Sequence, residues 1–154
     1  MRKVTWLLYP ICAAVLAVAG CGGGGGGDGS PTPTVQVTLT VPPGAAPAGV
    51  TPTVVSRTTT DAGYEKLAGS AFVAAALCQP GGTTFSQPVT LTFTLVNPLG
   101  AGDTVNLFWC DPANNWTTVA GAQVTVSTDR RTVTVGNITA FTDNGRYALL
   151  KVVP

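Results

Sequence analysis

Whatever chemistry this chain performs must come from four cysteines, seven carboxylates and scattered hydroxyls, because it contains no histidine. A hydroxyl becomes a useful nucleophile only beside a base that takes its proton. Ser86 and Ser127 therefore have no route to a Ser-His-Asp mechanism. The carboxylates Asp28, Asp61, Glu65, Asp103, Asp111, Asp129 and Asp143 fall mostly in turn-like stretches. A glycosidase needs two of them facing one cleft, and nothing in their spacing brings a pair together. Asp111 with Asn114, or Asp143 with Asn144, offers the oxygen ligands that calcium takes. Asx side chains in such stretches more often bond their own backbone, and Asp143-Asn144-Gly145 is strong turn chemistry. Cysteines without a histidine make a poor zinc site. The expectation is a protein that is not an enzyme, with no catalytic residue, cofactor or metal.

Cys21 is the cysteine with the most telling surroundings. Arg2 and Lys3, an apolar run from Val4 to Ala19 broken by Pro10, and the small Gly20 precede it. These are the parts of a secretory signal peptide, and the run is short of the ~20 apolar residues that cross a bilayer as a helix. Val18-Ala19-Gly20-Cys21 resembles the lipobox of bacterial lipoproteins. The resemblance implies a diacylglyceryl group on the Cys21 thiol, cleavage after Gly20 and acylation of the new amine. Two or three acyl chains meet the requirement for stable anchoring. Gly22, where an aspartate would favour inner-membrane retention, implies an outer membrane if the source is Gram-negative.

Three segments follow. Residues 1–20 read as the lipoprotein signal peptide, 21–33 as the lipidated cysteine with a flexible Gly/Pro-rich tether, and 34–154 as one domain. The tether GGGGGGDGSPTP has no large apolar side chain to bury and should span on the order of 20 Å. Its glycines are not a phosphate loop, since no strand precedes them and no Lys-Ser/Thr ends them. Loss of Arg2 and Lys3 leaves six basic against seven acidic side chains. No basic field exists to attract nucleic acid or anionic lipid, so the membrane is reached only through Cys21.

Of the remaining cysteines, Cys12 leaves with the signal, and Cys78 and Cys110 form an even pair in a compartment that permits disulfides. A Cys78–Cys110 bridge would contribute roughly 3–4 kcal/mol in the chain-entropy picture. The alternative is two buried free thiols.

The elements that would position these groups are strands. Val35, Val37, Leu39 and Val41 alternate with Gln36, Thr38 and Thr40, and Pro42-Pro43-Gly44 stops the run. Val89, Leu91, Phe93 and Leu95 alternate with threonines in the same way. Further strands are expected at 53–58, 71–78, 105–109, 116–119, 123–127, 132–136 and 146–153. A short helical turn or loop is expected in 61–69, and Thr128-Asp129-Arg130-Arg131 reads as a hairpin connection whose arginines face solvent. Trp109 and Trp116 are expected to supply much of the core's aromatic area. About 8–9 short strands at regular spacing, rich in β-branched threonine, predict an all-β antiparallel sandwich.

Three segments together resemble the ZU5 module and related β-sandwich domains of bacterial lipoproteins. They are Val37 to Ala45 with its Pro-Pro-Gly-Ala ending, Pro80 to Phe93 with Phe85 and Pro88-Val89, and Ile138-Thr139-Ala140-Phe141-Thr142 followed by Tyr147-Ala148. Some relatives cut themselves at a His-Phe-Ser site. Ala140 stands here in place of that histidine and Thr142 in place of that serine, so no cleavage between Phe141 and Thr142 is expected. The function implied is a lipid-anchored envelope protein displaying a non-catalytic structural or interaction domain. The alternative is an adhesion-accessory lipoprotein that binds a glycan or calcium, and the partner is left open between an envelope protein and a glycan.

Overall fold

The computed structural model describes residues 35–69 and 71–152. Cys21, the signal segment 1–20 and the tether 21–33 lie outside the described residues, and with them the lipobox reading. Nine strands run in chain order: β1 (Gln36–Thr40), β2 (Thr53–Arg57), β3 (Phe72–Gln79), β4 (Thr84–Thr94), β5 (Thr104–Cys110), β6 (Trp116–Thr118), β7 (Gln123–Val126), β8 (Thr132–Ala140) and β9 (Arg146–Val152). Among the described residues the helical element is the 3₁₀ turn Glu65–Leu67, between β2 and β3. The strands form a four-stranded sheet in the order β1-β4-β8-β7 and a five-stranded sheet in the order β2-β3-β9-β5-β6. Every pairing is antiparallel. The chain is an all-β sandwich.

Alternation explains the core. In β1 and β4 the apolar residues pair directly, Val37 with Phe93 and Leu39 with Leu91, while Thr38 pairs with Thr92. One row of side chains thus turns inward and the threonine row turns out. Val89, Leu91, Phe93, Val133 and Val135 of one sheet meet Ala74, Ala76, Cys78, Leu107, Tyr147 and Leu149 of the other. β4 extends upstream of Val89 to Thr84, with its register against β8 broken between Thr84 and Val89. Pro88 falls within that break, where no ladder hydrogen bond needs its missing N–H. At one end of the sandwich, Phe85 and Phe141 pack edge-on at 4.9 Å, and Phe141 lies 6.3 Å from Tyr147. Ser86 N–H donates to the Ala45 carbonyl there.

The five-stranded sheet is covered on its outer face as well. Ala75, Ala148, Tyr64 and Leu67 form a second buried cluster, with Phe72, Trp116 and Leu150 packed against it. Segment 58–69 is laid across this face and pinned by the Tyr64 hydroxyl, which donates to the Ala76 carbonyl at 2.8 Å. Trp109 and Trp116 do not share a core. Trp109 packs toward the space between the sheets, and Trp116 belongs to the outer cluster, 5.7 Å from Tyr64.

Candidate functional site

The outer face of the five-stranded sheet brings together polar side chains from distant parts of the chain. Arg57 stands opposite Ala75, and Leu77 stands between Val55 on β2 and Arg146 on β9. Directly opposed residues share a face, so Val55, Arg57, Leu77 and Arg146 all point outward. The 58–64 segment rises beside them and closes a cleft of about 580 Å³ lined by Arg57, Asp61, Ala62, Gly63, Tyr64, Leu77 and Arg146.

Each wall is held by local chemistry. Asp61 accepts from the Thr58 backbone N–H at 2.6 Å and from its hydroxyl at 3.0 Å, which closes the turn after β2. The Thr58 N–H chiefly, then its hydroxyl and the nearby Arg57, hold the Asp61 carboxyl below its usual range. Arg57 Nη1 lies 3.6 Å from Asp61 Oδ1. Glu65 folds back to accept the Gly63 N–H. Arg146 Nη1 donates to the Gly63 carbonyl at 3.2 Å and to Asn114 Oδ1 at 3.0 Å. Asn114 sits in the left-handed region, φ +67°, which asparagine tolerates better than most residues. Asn144 ties this edge together by accepting from Arg146 N–H and donating to the Cys110 carbonyl.

Cys78 and Cys110 are both buried free thiols, so the expected bridge is not formed. Ala76 pairs with Tyr147 and Trp109 with Tyr147, which puts Cys78, two residues after Ala76, on the inner face. Cys110, one residue after Trp109, points to the outer face and donates to Asn114 Oδ1 at 3.2 Å. β9 separates their strands. Two strand spacings are about 9–10 Å, beyond the ~7 Å between Cα atoms that a disulfide spans. Burial pushes both thiols above the ordinary cysteine range, the opposite of what a thiolate nucleophile requires.

The other candidates serve the fold. Asp111 accepts from the backbone N–H of Asn115 at 2.7 Å and from its side-chain amide at 3.1 Å, and these bonds lower its pKa. Among the described residues no group of three or more His, Cys, Asp or Glu side chains converges. Thr142 is positioned by its backbone N–H, which donates to the Tyr147 hydroxyl, beside the buried Phe141. The hairpin arginines do not simply face solvent. Arg130 donates to the Leu99 and Asp103 carbonyls, and Arg131 to the Val96 carbonyl, clamping the β7–β8 turn to the loop after β4. Sequence reasoning also passed over Arg57, Tyr64 and Arg146 as a group. Their only signal was an arginine at a strand end in a chain with few charges.

No protein-family model matches the sequence, and comparison with curated proteins finds no match.

Proposed function

We propose that this protein is a bacterial lipoprotein that displays a non-catalytic, ZU5-like β-sandwich at the cell envelope, anchored through Cys21. The observation that carries the non-catalytic part is how the reactive groups are occupied. The two thiols are buried with raised pKa values, and Asp61, Asp111 and Asp103 accept hydrogen bonds from their own turns. The chain has no histidine to activate a hydroxyl. The anchor rests on Arg2-Lys3, the apolar run and Val18-Ala19-Gly20-Cys21. The ZU5 likeness is supported by the meeting of its three segments, with Ala45 bonded to Ser86 and Phe85 packed on Phe141.

The decisive experiment is fractionation of cells expressing the protein and its Cys21→Ser variant, with intact mass of each. The wild type should be found in the outer-membrane fraction, carrying acyl mass on Cys21 and uncut between Phe141 and Thr142. Cys21→Ser should be released from the membrane. A variant that stays membrane-bound without acyl mass refutes the anchor, and a break after Phe141 refutes the inert domain.

A second reading, ligand binding, is favoured by the Arg57–Arg146 cleft. Its glycan form would be stronger with an exposed aromatic platform, and the described aromatic residues are all buried or half-buried.

A further inference from the structure

Most cations among the described residues are committed to protein partners. Arg130 and Arg131 hold carbonyls, Lys66 donates to the Asn114 carbonyl, and Lys151 pairs with Asp103 at 2.8 Å. Arg57 and Arg146 differ. The Arg57 side chain makes no hydrogen bond among the described residues and, 33% exposed, has only the 3.6 Å ion pair with Asp61. Arg146 spends Nη1 on Gly63 and Asn114, which leaves Nε and Nη2 without a partner among the described residues. Both arginines line the same cleft.

We propose that this cleft is a binding site for an oxyanion, a carboxylate or phosphate carried on a small molecule whose apolar body rests on Leu77. Arg57 and Arg146 line the cleft with the Asp61 carboxylate, and Glu65 sits on the Gly63 N–H at its wall, so what an anion would meet is the uncommitted guanidinium N–H groups rather than a net positive field. The planar donor fork of arginine matches carboxylate and phosphate oxygens in pairs. Arg57 and Arg146 rise from strands on either side of β3, about 9–10 Å apart across the sheet and offset by two residues, about 7 Å, along it, so roughly 12 Å separates their backbones, a gap that two long side chains can close around one anion. The volume of about 580 Å³ lies within the usual range of small-ligand sites, roughly 300–1,000 Å³. Leu77 floors it, and beside Leu77 its strand partner Val55 is 44% exposed at the sheet edge. Arg146 is pre-positioned by its bonds to Gly63 and Asn114, so little freedom is lost when an anion docks.

The test is NMR of the arginine Nε–Hε groups of the purified full chain, titrated with butyrate in one arm and inorganic phosphate in the other. Saturable shifts at Arg57 and Arg146 are expected in at least one arm, and the arm that responds identifies the anion. Arg57→Gln should weaken binding at least tenfold, while Arg131→Gln, away from the cleft, should leave it unchanged. The Arg57 side chain makes no hydrogen bond among the described residues, so the test does not depend on the more embedded Arg146. Silence in both arms, or a titration unaltered by Arg57→Gln, overturns the proposal.

Discussion

The guanidinium of Arg146 lies so close over Gly63 that a Cβ there would collide with Nη1 and stand 2.9 Å from Cζ. Gly63 also adopts φ +86°, a region that L side chains rarely enter. Gly145, at φ +64°, is tighter still, because its Cβ would strike the backbone carbonyl of Cys78. An arginine can swing away and a strand carbonyl cannot. Gly63→Ala should therefore cost about 1–3 kcal/mol from backbone strain and lost Arg146 bonds. Gly145→Ala should cost more than about 3 kcal/mol or prevent folding. Urea midpoints compare them directly, and equal midpoints would contradict the contrast.

Cys78 faces the space between the sheets and Cys110 faces the outer cluster, so no oxidation should join them without unfolding. Maleimide labelling, read by peptide mass, should leave both unmodified in the native protein and modify both in urea. Adding a reductant should leave the unfolding midpoint unchanged.

What the sequence made legible, and what it hid, divides along local and non-local lines. The alternation of Val37 and Leu39, or of Val89, Leu91 and Phe93, announces strands because one covered face dictates every second residue. β8 runs past Gly136 to Ala140 because Asn137, at φ +61°, interrupts the alternation without ending the pairing. The face on which a residue sits relative to a distant strand is a matter of register. Cys78 and Cys110 looked like partners by count alone. Trp116 reads like Trp109 until the turn at Asp111–Asn115 sets its phase. Arg57 and Arg146 line one cleft only because β3 lies between β2 and β9, an order that no local pattern carries.

Stability should form a plateau that falls at both extremes of pH. Asp61, Asp103, Asp111 and Asp129 all have folded pKa values below their ordinary ones. The leading causes are the Thr58 N–H, Lys151, the Asn115 N–H and the Ser127 hydroxyl, respectively. A depressed carboxyl stabilises the fold above its unfolded pKa, so this contribution is lost as pH falls below about 4. Tyr64, Tyr147, Cys78 and Cys110 are raised, each chiefly by burial. A raised acid leaves stability intact below its unfolded pKa and erodes it above. Beyond pH ~8.5, Cys78 alone should remove about 1.4 kcal/mol per pH unit. Urea midpoints from pH 2 to 11 check both limbs, and a flat alkaline limb would refute the buried, protonated thiols and phenols.

Tyr64 and Trp116 pack with ring centroids 5.7 Å apart and planes tilted by 43° in the same outer cluster, yet their polar atoms differ in use. The Tyr64 hydroxyl donates to the Ala76 carbonyl at 2.8 Å in a buried setting and ties segment 58–69 to the sheet. The Trp116 indole N–H is buried with no acceptor among the described residues. Removing a satisfied buried hydrogen bond costs about 1 kcal/mol, whereas an unpartnered donor already carries its desolvation penalty. Tyr64→Phe should thus lower stability by about 1 kcal/mol and speed amide exchange across 58–69. Trp116→Phe loses ring area but sheds the orphan donor, so its two terms oppose. Trp116→Phe should then cost no more than Tyr64→Phe, although it deletes the larger volume. Denaturant midpoints with hydrogen exchange on both variants decide it: a greater loss for Trp116→Phe, with 58–69 still protected in Tyr64→Phe, would mean that ring packing, not the Tyr64 hydroxyl, holds this segment over the cleft.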